Sequence, residues 1–180
     1  MFLALIGILL AIIVIILYNN ITYYKNLVIE NKGSIDTVLQ QRYDLIPNLV
    51  SVVKGYAKHE SQLLENVALL RATGMNQQEL SKEKIKNENQ ISNGLKSIFA
   101  LSEAYPDLKA NQNFLKLQEE LVEIEERIQA ARRSYNAAVK ELKDKKEMFP
   151  TNIIANMMNL GEHNMFEASQ ESRENVSTKF

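Results

Sequence analysis

The 180-residue sequence contains no cysteine, so it has no disulfide framework, no thiol nucleophile and no cysteine-ligated metal site. It also lacks a basic surplus, because 21 Lys and Arg residues are balanced by 22 Asp and Glu residues, for a formal net charge of −1. Nucleic-acid-binding proteins usually need positive charge to neutralise phosphates, so we expect no nucleic-acid partner. Glycine and proline are scarce, with 6 and 3 residues, and the middle of the chain is rich in Leu, Ile, Glu, Lys, Gln and Asn. This composition is typical of long helices and not of a sheet.

Recognised catalytic patterns are absent as well. The two histidines, His59 and His163, belong to no H-E-x-x-H or E-x-x-H arrangement that would form a metal site. The sequence has no glycine-rich phosphate-binding loop and no G-x-S-x-G nucleophile turn. Paired glutamates such as Glu119 and Glu123 are most simply a solvated helix face. We therefore predict that the protein is not an enzyme and that it holds no metal or cofactor.

The N-terminal run MFLALIGILLAIIVIILY, residues 1–18, carries no charged side chain. As a helix it would extend about 27 Å, close to the thickness of the hydrocarbon core of a bilayer. Tyr18, Tyr23 and Tyr24 resemble the aromatic belt of a membrane interface. The alternative is a cleaved signal peptide, which needs a positively charged start and a small-residue cleavage site. Because the first charged side chain is Lys25 and no A-x-A pattern follows the apolar run, the sequence favours an uncleaved transmembrane anchor.

The charges that follow the anchor predict its orientation. No basic residue precedes the apolar run, whereas Lys25, Lys32 and Arg42 come after it, with Glu30 and Asp36 interleaved. By the positive-inside rule, we expect a single-pass membrane protein with its short N-terminus outside and the remainder in the cytoplasm.

A strong helical periodicity runs from about Asn111 to Met148. Apolar residues alternate there in steps of three and four over about four heptads, as in a coiled coil. Asn111 is a plausible N-cap, and the Phe149–Pro150 pair should end the helix, because a residue before proline is biased away from the helical region. The apolar seam consists of Phe114, Leu117, Leu121, Ile124, Ile128, Ala131, Tyr135, Ala138 and Leu142.

Three further amphipathic segments precede this helix, at about residues 21–42, 44–73 and 76–105. The second is expected to end near Gly74, a favoured C-terminal helix residue, and YPDL should end the third. None of the four segments could bury its seam alone, and short connectors favour antiparallel neighbours. The sequence therefore predicts an all-α protein: an N-terminal transmembrane helix, then an antiparallel bundle of four long helices.

The segment FPTNIIANMMNLG predicts one more short helix, capped by Thr151 or Asn152 and stopped by Gly161. Its apolar side could cover the end of the bundle, meet a partner or touch the membrane, and the first of these is favoured. That side is formed by Ile153, Ile154, Met157 and Met158. The predicted domains are an anchor at 1–24, a helical bundle at 25–160 and a polar, disordered tail at 161–180.

Pro47 lies inside a stretch, QQRYDLIPNLVSVVKGYAKHE, that otherwise indicates helix. An interior proline costs a helix about 3 kcal/mol, so either the helix is kinked or a new helix starts here. If Asp44 is an N-cap, Pro47 occupies the first turn, where a missing N–H costs little. Arg42 would then lie in the last turn of the preceding helix, where a cation suits the helix dipole. We favour this hairpin at Tyr43–Asp44 over the kink.

Several polar residues fall on or beside the apolar seams. They could form a buried polar network that fixes the register of the helices, or they could lie on a surface that a partner recognises. The first interpretation is favoured. The residues concerned are Asn31, Arg42, Glu60, Glu88, Arg132 and Asn136.

Four stretches of the sequence resemble the signature elements of a known family and occur in the same order. The resemblance covers about residues 1–158. RYDLIPNLVSVVKGYAKHE, EAYPDLKANQNFLKLQEEL, IEERIQAARRSYNAAVKEL and FPTNIIA resemble the signature elements of the LemA family. The resemblance implies a bacterial membrane protein with an N-terminal anchor, a helical bundle and no established catalytic activity. The residues that it and the seams suggest for structure or interaction are Arg42, Asp44, Pro47, Glu60, Tyr105, Pro106, Arg132, Tyr135 and Asn136.

The predicted function is a membrane-anchored scaffold or adaptor that binds protein partners at the inner face of the membrane and self-associates into homo-oligomers. Relatives in this family tend to be encoded beside membrane zinc metalloproteases, so the resemblance also implies an alternative role as adaptor or inhibitor of such a protease. A ligand-binding receptor would need a polar pocket inside the bundle, and the apolar seams argue against one.

Overall fold

The structure, a computed structural model, describes residues 1–77 and 79–166, so most of the tail expected at 161–180 lies outside the described residues. All regular elements in the described part are helices, which confirms the all-α class with a long apolar N-terminal helix and a multi-helix bundle. Short 3-10 turns follow α1 and α3, at Lys58–Glu60 and Ser102–Ala104. The α-helices are α1 (Phe2–Tyr56), α2 (Ser61–Asn76), α3 (Lys82–Leu101), α4 (Pro106–Lys109), α5 (Gln112–Glu147) and α6 (Thr151–Ala155).

The helices form two compact units. The first contains Met1–Asp36 and Ala130–Met165, that is, the start of α1, the end of α5 and α6. The second contains Thr37–Gln129, with Phe166 from the C-terminal segment. Within the second unit, the end of α1, α2, α3 and the start of α5 pack as four helices around buried Leu, Ile and Val side chains.

The hairpin predicted at Tyr43–Asp44 is wrong, because α1 continues without a break from Phe2 through Pro47 to Tyr56. Asp44 caps no helix, and its carboxylate instead accepts a hydrogen bond from the Gln40 side chain at 2.8 Å. Arg42 accordingly lies inside a helix and not in a last turn. The chain leaves the helix only at Ala57.

Proline is tolerated in α1 because the group that it would leave unpaired has another partner. Pro47 has no N–H, so the carbonyl of Tyr43, four residues earlier, lacks its usual helical donor. The Nε–H of Arg71, on α2, donates to that carbonyl with an N–O distance of 2.6 Å. A buried or half-buried carbonyl that finds such a donor avoids the penalty of an unsatisfied polar group.

The prediction for α5 is confirmed at both ends. The Asn111 side chain caps the helix by accepting from the Phe114 amide at 3.0 Å, and the helix ends at Glu147, just before Phe149–Pro150. Elsewhere the boundaries differ. α3 starts at Lys82 rather than near residue 76, and Gly74 lies within α2 rather than after it.

Gly74 is needed where it stands because three polar side chains crowd its position. A Cβ there would lie 2.6 Å from the Tyr43 hydroxyl oxygen, 2.8 Å from Glu88 Oε1 and 3.0 Å from Asn87 Nδ2. α2 ends two residues after Gly74, at Asn76, so the helix does end near this glycine, which in addition allows α1 and α3 to approach α2 closely. Local sequence does not distinguish these two uses of glycine.

α6 is shorter than predicted, ending at Ala155, although Gly161 does adopt a positive φ of 67°. The side that was expected to cover the bundle is only partly buried. Ile154 and Met158 are half-buried, whereas Ile153 and Met157 are exposed.

Candidate functional site: a buried arginine cluster and an exposed groove

Three helices of the second unit meet at the guanidinium group of Arg42, which is completely buried in α1. Its Nη2 donates to Glu88 Oε2 on α3, and its Nη1 donates to Glu125 Oε1 on α5. Nη1 also lies 2.9 Å from the hydroxyl oxygen of Ser92 on α3. The Ser92 hydroxyl in turn donates to Glu125 Oε2 at 2.8 Å, which closes a ring of hydrogen bonds between α1, α3 and α5.

α2 joins this cluster through the neighbour of Arg42. The Tyr43 hydroxyl donates to Glu88 Oε1, so both oxygens of the buried Glu88 carboxylate are occupied. The Tyr43 carbonyl receives Arg71 of α2, and the Asn87 amide donates to the carbonyl of Leu70, also in α2, at 2.9 Å. A single turn of α1 therefore holds polar contacts to the other three helices of the unit.

The geometry of the cluster suits positioning and not catalysis on an incoming molecule. The side chains of Arg42 and Glu88 have no solvent exposure, and that of Glu125 is 23% exposed. A buried ion pair is weak evidence for stability in itself, because desolvation opposes the attraction, but loss of one partner leaves an uncompensated charge. Such a cluster therefore penalises any other register of the four helices. In the described part of the chain, no group of three or more His, Asp or Glu side chains could hold a metal ion.

An exposed groove runs between α1 and α5 on the outside of the same unit. It consists of two adjoining hollows of about 380 and 360 Å³ that share Leu45 and Glu120. Its floor is apolar, with Val52, Leu117 and Ile124, and its walls carry charges of both signs. The polar lining residues are Gln41, Asp44, Asn48, Asn113, Lys116, Glu120, Glu123 and Arg127.

The structure separates the residues that the sequence suggested as sites. Arg42 and Glu88 meet in the cluster, and Asp44 and Pro47 are exposed on the same stretch of α1. Glu60 is not part of the cluster, since it lies half-buried in the 3-10 turn before α2.

The other suggested residues lie apart from the cluster. Tyr105 precedes α4 and Pro106 begins it, so this proline occupies a first helical turn. Arg132, Tyr135 and Asn136 belong to the first unit, where Arg132 and Tyr135 are buried and Asn136 is half-buried.

Sequence reasoning missed four participants in the cluster or beside it. Of these, only Ser92 could have been identified from the sequence, because it is a polar residue one helical turn after Glu88 on the same apolar seam. Glu125 resembles the exposed glutamates that surround it, Tyr43 was expected in a turn, and Arg71 was not singled out.

The hydroxyl of Tyr135, a buried residue of the first unit, has a shifted pKa. Burial raises the pKa of its hydroxyl, and the nearby charge of Asp36 on α1 raises it further. α1 and α5 run antiparallel here, because Tyr24 faces Lys145 at 5.1 Å whereas Asp36, further along α1, acts on Tyr135, earlier in α5.

The start of α1 is long and apolar enough to cross a membrane. Its most hydrophobic window has a mean hydropathy of 2.9, and none of that window is buried in the protein. The first completely buried side chain of α1 is Ile21. In the described part of the chain, α1 is the only helix that is long and apolar enough to cross a membrane.

Comparison with known proteins places this chain among relatives of known name. The chain is 26% identical over 151 residues to Protein LemA of Metamycoplasma hominis, a match that covers 83% of this chain and 69% of the relative. The sequence profile of the LemA family matches residues 31–180, which include the arginine cluster, the groove and α5. This match spans most of the sequence, and the chain therefore belongs to the LemA family.

Proposed function

We propose that this protein is a membrane-anchored helical scaffold that binds protein partners at the inner face of a bacterial cytoplasmic membrane and associates with further copies of itself. The observation that carries the proposal is the division of α1. Its first turns are uniformly apolar and exposed, whereas from Ile21 onward the same helix supplies core residues such as Val28 and Ile35. One continuous helix thus serves as both lipid-length segment and bundle element.

The arginine cluster supports a scaffold role because it favours a single arrangement of four helices. A surface that is rigid before binding loses less conformational entropy when a partner docks. The groove between α1 and α5 offers such a surface, with an apolar floor that includes Val52 and Leu117 and with charged walls. An amphipathic helix is the natural occupant of a groove of this kind.

The orientation of the protein can be tested with single cysteines, since the natural sequence has none. In spheroplasts, we expect the exposed position of a Glu103→Cys variant to react with a membrane-impermeant maleimide only after lysis. Labelling of intact spheroplasts would contradict the cytoplasmic location. The expectation follows from the basic residues that come after the apolar run.

The scaffold role is tested by crosslinking in native membranes followed by mild-detergent extraction. We expect crosslinked species that contain this protein, and we expect an Asn48→Arg variant to lose at least some of them, because Asn48 is exposed in the groove. Asn93→Arg, an identical change at an exposed site of α3, is the matched control. A protein that stays monomeric and captures no partner would overturn the proposal.

A second candidate role is regulation of a membrane-embedded zinc metalloprotease, as adaptor or inhibitor. This role rests on what the LemA resemblance implies, an association of such genes with those of membrane zinc metalloproteases. The role requires a stable complex and altered substrate turnover in a deletion strain. If proteolysis is unchanged in the deletion strain while the wild-type protein still forms crosslinks with partners, the protease role is excluded and the scaffold role remains.

A further inference from the structure

The segment between the end of α5 and the C-terminal described residues has an unusual surface. Residues 148–161 contain no charged side chain, yet several large apolar residues in them face solvent. We call these residues the apolar corner. They are Met148 (57% exposed), Phe149 (80%), Ile153 (55%) and Met157 (82%).

Contacts within the first unit place the apolar corner beside the point where α1 leaves its apolar run. Lys25 Nζ lies 3.4 Å from the carbonyl oxygen of Asn159, just beyond the corner. Lys145, just before the corner, stacks on Tyr24 with its Nζ 5.1 Å from the ring centroid. The corner is therefore bracketed by contacts to two consecutive residues of α1.

The height of these contacts matches the headgroup layer of a bilayer that α1 would span. Residues 1–18 extend about 27 Å as a helix, and Tyr24 lies about 9 Å further along the axis. The polar layer on each side of the hydrocarbon core is about 5–8 Å thick. Since Tyr24 and Lys25 lie at about the outer edge of that layer, apolar side chains projecting beside them can reach the acyl boundary.

Charges around the corner also suit a lipid surface. Lys25 and Lys145 make the two contacts described above, and Lys146 follows Lys145 in sequence. The acidic neighbours are Asp144 and Glu147, which pair with Lys140 and Lys143 in α5, and Glu162. Lysines beside exposed apolar side chains are typical of segments that lie in the interface of a membrane with anionic lipids. Four large apolar side chains that face solvent between residues 148 and 157 also call for a partner.

We propose that the apolar corner inserts into the interfacial layer of the membrane that α1 spans, where it contacts anionic phospholipids as a second membrane attachment site. This proposal rests on the membrane anchoring proposed above. It gives the first unit two attachments to one bilayer, the apolar start of α1 and the corner. Two attachments restrict rotation and tilt of this unit more than a single helix would.

The test uses single-cysteine variants of the full-length protein, each labelled with a nitroxide. They are reconstituted into phosphatidylcholine vesicles with or without phosphatidylglycerol, and collisions with oxygen and with a water-soluble nickel chelate are compared by EPR power saturation. Phe149→Cys and Ile153→Cys report on the corner, and Val14→Cys reports on the apolar run. The matched control is Ser134→Cys, an exposed site on α5 about 20 Å along the helix from Glu147.

We expect both corner labels to favour oxygen over the nickel chelate by several-fold, as the Val14 label does, and the Ser134 label to favour the chelate. Phosphatidylglycerol should increase the corner signal, and the Lys145→Gln, Lys146→Gln double variant should lose that increase. These three results together support insertion.

Corner labels that are as accessible to nickel as the Ser134 label would overturn the proposal, while a lipid-exposed Val14 label would leave the anchor intact. If the Val14 label is also aqueous, the membrane anchoring itself fails. Corner labels shielded from both reagents, with Phe149→Cys forming a disulfide between two copies, would assign the corner to a protein interface instead.

Discussion

Replacement of Arg71 tests whether its side chain is what allows α1 to continue through Pro47. The change is Arg71→Met, which keeps a long unbranched stem and removes the donor. In the structure, Arg71 Nε donates to the Tyr43 carbonyl at 2.6 Å, and Pro47 has no N–H to serve that carbonyl. We expect the variant to leave a half-buried acceptor without a donor.

The size of the effect follows from the hydrogen bond and its exposure. Hydrogen bonds that involve a charged group contribute about 1.5–3 kcal/mol, and partial exposure of Arg71 lowers this to about 1–2 kcal/mol. In a Pro47→Ala background, the new amide at position 47 can donate to Tyr43, so the same replacement should cost less than about 0.5 kcal/mol. The expected coupling between the two positions is thus about 1 kcal/mol.

The measurement is urea unfolding of the full-length protein in detergent micelles, followed by circular dichroism of the helical band. At an m-value of about 2 kcal/mol per M, a loss of 1–2 kcal/mol moves the midpoint by about 0.5–1 M. Arg133→Met, at an exposed site of α5, controls for the loss of an arginine. An equal cost of Arg71→Met with proline and with alanine at position 47 would refute the explanation.

Further predictions use the same unfolding measurement. Arg42→Met should cost about 3–5 kcal/mol, because it leaves the buried Glu88 carboxylate without its cation; a loss below about 1 kcal/mol would contradict the cluster's role. Gly74→Ala should destabilise, since its Cβ would meet oxygens at 2.6 and 2.8 Å, whereas Gly33→Ala, with open space around it, should stabilise by about 0.5–1 kcal/mol. Asn111→Ala should cost about 1 kcal/mol through loss of the α5 cap. Because burial raises the folded-state pKa of Tyr135, stability should fall as pH rises above about 10, and Tyr135→Phe should flatten that fall; an unchanged slope would argue against it.

Local interactions made α5 and the apolar start of α1 predictable. The Asn111 side chain caps α5 by accepting from the amide of Phe114, only three residues away. At the other end, the helix stops before Phe149–Pro150, because proline restricts the backbone of the residue before it. The apolar start needs no partner in the protein, because composition and length alone decide whether a helix can cross a bilayer. Such features depend on residues within one or two turns.

The path of α1 at Pro47 and the composition of the arginine cluster depended on the tertiary structure. Pro47 leaves the Tyr43 carbonyl without its usual donor within α1. Arg71 supplies a donor from 28 residues further along the chain, and the local sequence does not reveal that the two meet. Glu125 resembles its exposed neighbours in sequence, yet it pairs with Arg42 across 83 residues. The sequence alone determined that the chain is helical and where α5 begins and ends, because periodicity and caps act locally. Only the packed helices decided where polar groups find partners, because a hydrogen bond requires two groups to meet in space.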